Sequence, residues 1–148
     1  MKKLGFALGI LILVMIVLSF ISVAIRYTFN IVLISLQELI IYLHATVFML
    51  GIVYTYHHDK HVRIDIFYQN YTPAKQKMIN TFGTLFLLLP FFGFMFYASY
   101  NYVLSAWLKL ESSPESGGLP FVYGLKTLLL IMPATMIVFA TIKMLRKS

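Results

Sequence analysis

Four apolar runs, over residues 4–25, 31–56, 78–107 and 119–142, leave little of this 148-residue chain outside them. A helix needs ~20 mostly apolar residues to cross a hydrocarbon core ~30 Å thick, and each run is longer than that. In lipid every backbone N–H and C=O must be paired within the protein, so only helices and closed barrels span. These runs are unbroken, without the period-2 alternation over about ten residues that marks a barrel strand. The expected fold is all-α: one integral membrane domain of four transmembrane helices.

Charge and composition narrow the class further. Charged residues are 11% of the chain, against ~25% in an ordinary soluble domain. The absence of cysteine excludes disulfides, thiolate metal sites and cysteine nucleophiles. The net charge of +7 is a topology signal rather than a nucleic-acid patch. Lys2, Lys3, Lys60, Arg63, Lys75, Lys77, Lys143, Arg146 and Lys147 fall on one side of the spans; Arg26, Lys109 and Lys126 fall on or near the other. By the positive-inside rule, both termini and the middle loop are cytoplasmic. The first run is about 22 residues long, beyond the ~7–15 of a signal-peptide core, so a retained first helix is expected.

The links between runs set the topology. Residues 26–30 are short enough to force an antiparallel hairpin. Thr72 and Pro73 read as N-cap and first helical residue of a third helix running to Trp107. Its ~35 residues rise on the order of 50 Å, too long to cross upright, so it must tilt, project, or kink at Pro90. Pro133 plays the same part in the fourth helix. The segment Glu111–Pro120 is dense in Gly, Pro and Ser and reads as an outer loop. Tyr27, Tyr102, Trp107, Phe121 and Tyr123 gather at one interface, and Tyr54, Tyr56, Phe67, Tyr68 and Tyr71 at the other, as an aromatic belt should.

Glu38 is the residue least at home in this pattern. It lies about seven residues into the second run, roughly 10 Å deep by helical rise. A carboxylate at that depth should face protein and have a partner, or be protonated. One reading is a proton- or cation-binding group; the other, favoured because no second intramembrane acid exists for a relay, is a structural contact. Arg26, snorkelling down from the hairpin, and a partner subunit are both open as its contact. Gln37 and His44 add polarity to the same helix. Haem is disfavoured, since His44, His57, His58 and His61 all belong to one helix or its exit, with no histidine on a facing helix. His57-His58-Asp59-x-His61 also lacks zinc-motif spacing. There is no paired carboxylate, P-loop or serine with a plausible base, so no enzyme activity and no cofactor are expected.

The stretch Gln37-Glu38-Leu39-x-x-Tyr42-Leu43, then Gly51, then His57-His58-Asp59-Lys60-His61-Val62-Arg63-Ile64-Asp65, resembles the small four-helix membrane subunit of tripartite ATP-independent periplasmic (TRAP) transporters. The resemblance takes in Arg26-Tyr27 upstream, Pro73 downstream, and Glu111-x-Ser-Pro-Glu-x-Gly117-Gly118-Leu119-Pro120 with Lys126. That last signature is similar to the branch associated with mannitol, chloroaromatic or 2-oxo acid uptake. The chain departs at Leu36 and Gln37, where many members carry Trp and a second acid.

The resemblance implies a multi-pass protein of the bacterial inner membrane, partnered by a large membrane subunit and a periplasmic substrate-binding protein. The large subunit would hold the solute and ion sites and move by an elevator-like mechanism driven by an ion gradient, usually sodium. This chain would brace it and help present a docking surface. Arg26, Gln37, Glu38, Tyr42, His44, His61, Arg63 and Asp65 are candidates for structural or subunit contacts. Glu111, Pro114, Glu115, Gly117, Gly118 and Pro120 are candidates for the docking loop. The competing classes are an autonomous multidrug-type exporter and a haem- or quinone-binding anchor subunit. Known small exporters of four helices place their essential glutamate in the first helix, where this chain has no acid. A single deep carboxylate is poor equipment for a transport path built from broken helices at the midplane.

Overall fold

In the computed structural model, which describes residues 2–58 and 71–147, all regular structure is helical. Helix α1 spans Lys2–Phe29 and α2 spans Ile34–His57. Helix α3, Pro73–Phe82, runs through a π-helical stretch, Gly83–Leu88, into α4, Leu89–Leu108. Helix α5 spans Val122–Lys147. Four segments are long and apolar enough to cross a membrane: Lys3–Phe29, Ile34–His57, Ala74–Leu108 and Val122–Leu145.

The first hairpin differs from its sequence expectation. Residues 26–29 continue α1, and the link is residues 30–33. Asn30 makes the turn at φ 53°, a left-handed conformation that Asn tolerates better than most side chains. Arg26 thereby falls in the last turn of α1, where a cation complements the helix dipole. Helix α2 starts later than its apolar run, with the Gln37 amide donating to the Leu33 carbonyl at 3.1 Å.

The long third span begins where its sequence places it. Thr72 occupies the N-cap and Pro73 the first turn, but the Thr72 hydroxyl makes no capping bond. Instead the Gln76 side chain donates to the Tyr71 carbonyl at 3.1 Å, and the Gln76 amide to the Thr72 carbonyl at 2.9 Å. Pro90 cannot donate to the Phe86 carbonyl, as any proline in a helix cannot. The chain absorbs this by widening the helix just ahead of the proline, where the Leu89 amide reaches the Thr84 carbonyl five residues back.

The helices assemble as α1 on α2, α2 on α5, and α4 on α5. The core lies where Val53 of α2 meets Met132 and Met136 of α5, flanked by Leu88, Phe92 and Met95 of the third span. Pro133 is fully buried beside them, so the missing hydrogen bond of α5 faces protein. At the end carrying the chain termini, the Gly5 position lies close under the Tyr54 ring, which a Cβ there would meet at 2.8 Å. At the same end the Lys143 ammonium lies 4.8 Å from the centre of the Tyr56 ring and 3.5 Å from its carbonyl oxygen.

Hydroxyls within the spans bond back to their own helix. Ser19, Thr46, Thr127, Thr135 and Thr141 each donate to the carbonyl four residues earlier at 2.8 Å. This satisfies a polar group without calling on water. Large apolar side chains, among them Phe6, Leu13, Phe20, Phe48, Leu87 and Phe94, cover the outside of the bundle. In a membrane that surface meets lipid or another subunit's helices, not water.

Candidate functional site: a loop held on the helix ends

At the end opposite the termini, α4 stops in a Schellman turn. The Glu111 amide donates to the Ala106 carbonyl at 3.0 Å and the Leu110 amide to the Trp107 carbonyl at 3.2 Å. This geometry puts Leu110 at φ 45°, a position that glycine usually takes. The chain then forms a loop over residues 109–121. The Ser113 amide donates to the Leu119 carbonyl and the Gly118 amide to the Glu115 carbonyl, both at 3.0 Å. The Glu115 amide donates to Ser113 Oγ at 3.1 Å, and Gly117 turns the chain at φ 82°. These bonds close the loop into a small ring whose neck is the pair Ser113 and Leu119.

Glu38 grips that neck. The Ser113 hydroxyl donates to Oε1, and the Leu119 backbone amide donates to Oε2 at 2.6 Å. Gly118 packs against this contact, because a Cβ there would collide with the Ser113 hydroxyl and approach Glu38 Oε1 to 2.8 Å. A second tie holds the base of the loop. Both Glu111 oxygens accept from Lys126 Nζ at 2.7 Å, and the ammonium stands 4.0 Å from the centre of the Tyr102 ring. The Trp107 indole donates to Thr127 Oγ1 at 2.8 Å and packs on Tyr123 with ring centres 4.7 Å apart. Helices α2 and α5 therefore each contribute a charged side chain to one loop, and the Trp107–Thr127 bond ties α4 to α5 beneath it.

Two sequence expectations about Glu38 change. It is the fifth residue of α2, about 6 Å along the axis by helical rise, and therefore nearer the helix end than its apolar run implied. Nor is its partner Arg26, which is exposed and makes no hydrogen bond or ion pair among the described residues. Each carboxylate oxygen already accepts from the loop. As built, the group is a hydrogen-bond hub, not an open ion ligand.

The other singled-out residues divide by place. Gln37 is partly buried beside Glu38. Tyr42 stands one turn along α2, its hydroxyl buried without a partner among the described residues. His44 is exposed and stacks on Phe48 with ring centres 6.2 Å apart, remote in character from the loop. His61, Arg63 and Asp65 lie outside the described residues. Pro114, Glu115, Gly117 and Pro120 are exposed on the loop, whereas Glu111 and Gly118 are partly buried at its base and neck. Among the described residues, no three His, Asp or Glu side chains group as a metal site would require.

Sequence reasoning missed Ser113 and Leu119 as partners of Glu38, Tyr102 as the ring beside Lys126, and Thr127 as the partner of Trp107. For Ser113 a local signal exists: Ser-Pro-Glu favours a turn closed by the serine oxygen on an amide two residues on. For Leu119 there is none, because it contributes only a backbone amide.

The family model for the DctQ component of tripartite ATP-independent periplasmic transporters matches residues 15–148. No curated protein and no solved structure matches the chain. The four membrane-crossing helices and the match over nearly the full length agree, and the chain belongs to the DctQ family, the DctQ component of tripartite ATP-independent periplasmic transporters.

Proposed function

We propose that this chain is the bracing and docking subunit of an uptake system in a bacterial inner membrane, with both termini in the cytoplasm. It forms one four-helix domain that steadies the large transport subunit. Its loop over residues 109–121 faces the periplasm and helps seat the substrate-binding protein. The solute is an organic acid-like compound, in keeping with the mannitol, chloroaromatic or 2-oxo acid branch, and sodium is the coupling ion. Arg26, Gln37, Tyr42 and His44 belong to the structural and subunit contacts in this reading, as do His61, Arg63 and Asp65.

The observation that carries the reading is the tethered loop. A segment rich in Gly, Pro and Ser is given a defined shape by its own turns and by charged side chains from two helices, while its tip stays exposed. That arrangement suits a recognition surface. The Lys and Arg distribution supports the orientation. Placing the solute and ion sites elsewhere accords with a carboxylate near the end of α2 whose two oxygens are both occupied by protein donors.

The test is reconstitution. This chain in liposomes by itself should take up no solute, and uptake should require the large subunit together with the loaded binding protein. Solute accumulation by this chain alone would reject the assignment.

A further inference from the structure

We infer that Glu38 is a positioning residue for docking: through Ser113 and Leu119 it holds the loop in the conformation that the loaded binding protein engages. The inference rests on the docking role proposed above for the loop, and assigns that role's shape to a residue in a different helix.

The bonds within the loop, Ser113 to Leu119 and Gly118 to Glu115, close a ring but do not fix how that ring sits on the bundle. The tie between Glu111 and Lys126 joins the loop base to α5, which directly follows the loop in the chain. Glu38 is different. It belongs to α2, far away in sequence, and its two oxygens take donors from both strands of the ring's neck. It therefore anchors the ring to the half of the bundle built by α1 and α2.

Gly118 shows that the fit is close. Its backbone passes the Glu38 carboxylate with no room for a methyl group, although its own conformation is one that other residues adopt. With the neck held, the exposed Pro114, Glu115, Ser116 and Gly117 form a preshaped tip. A partner meeting a preshaped tip avoids the entropy cost of ordering a Gly- and Ser-rich segment on contact.

The experiment uses the complete transporter in proteoliposomes, with the loaded binding protein titrated from outside. Glu38→Ala should raise the concentration of binding protein needed for half-maximal uptake by about tenfold, while much of the rate at saturation survives. The sodium dependence of that rate should stay as it is in the parent. Glu38→Gln should lie closer to the parent, because its amide can accept from the Leu119 N–H and donate to the Ser113 oxygen.

A nitroxide on Ser116→Cys reports the loop directly, since this chain has no other thiol. The label should become mobile in Glu38→Ala. If Glu38→Ala fails to assemble, Gly118→Ala keeps the carboxylate but forces the neck off it, and the same two changes are expected. A label that stays immobile in both variants overturns the inference whatever happens to docking. A mobile label with an unaltered half-saturating concentration overturns instead the docking role on which the inference rests. A changed sodium cooperativity in Glu38→Gln also overturns it, by placing the carboxylate in the transport chemistry.

Discussion

The Glu38 carboxylate and the Leu119 backbone amide meet at 2.6 Å although 81 residues of chain separate them. The contact joins the start of α2 to the residues just before α5. It brings a charged group, costly within a bilayer, to the helix end where a loop can supply donors. It also divides the two glycines beside it into different physical cases.

Gly117 and Gly118 should respond differently to alanine. Gly117 needs its φ of 82° but has open space around its Cβ position. Gly117→Ala should cost ~1 kcal/mol through backbone strain, and Gly117→Asn less. Gly118 has ordinary backbone but no space, so Gly118→Ala should cost more and Gly118→Asn more still. Thermal unfolding of the detergent-solubilised protein orders the four variants. Equal effects at both positions would contradict the close packing at Gly118.

Glu111 and Lys126 should be unequal partners. The Lys126 side chain is 12% exposed and the Glu111 side chain 38%. Removing the acid leaves the more enclosed charge without its counterion, whereas removing the lysine leaves a carboxylate that still reaches solvent. Glu111→Gln should therefore lower the melting temperature more than Lys126→Met, which also retains an apolar stem beside Tyr102. The reverse order would mean that the contact with Tyr102 outweighs the ion pair.

Tyr42→Phe should leave stability unchanged or raise it by up to ~1 kcal/mol, because it deletes a buried hydroxyl that has no partner among the described residues. Its ring packing would remain. A lower melting temperature would reveal a bound water that serves this hydroxyl.

Leu110→Gly should stabilise the end of α4. Leu110 pays for a left-handed conformation at φ 45° that glycine adopts freely. Relief of ~1–2 kcal/mol of strain, less the ~0.5–1 kcal/mol entropy cost of glycine, leaves a net gain of roughly 0.5 kcal/mol. Leu110 as a residue is 65% exposed, so little packing within this chain is lost. A clear loss of stability in the isolated subunit would show that Leu110 matters through contacts of its side chain.

The four spans, the proline at the start of the long third helix and the irregular loop before α5 were all legible in the sequence. Each follows from a local cause: enough apolar length to cross lipid, a residue without an N–H at a helix start, a density of turn formers. Helix ends were less legible, because Arg26 and its neighbours can extend α1 past its apolar run and Ile31, Val32 and Leu33 can serve a link. The widened turn before Pro90 shows the same limit: sequence marks where the hydrogen bond is lost, and packing decides how the helix absorbs it. The tertiary structure alone decided that Glu38 faces a loop rather than Arg26, and that Glu111 pairs with Lys126 over Tyr102. The partner of a buried charge depends on which helices come side by side, and a backbone amide such as that of Leu119 has no side chain to announce it.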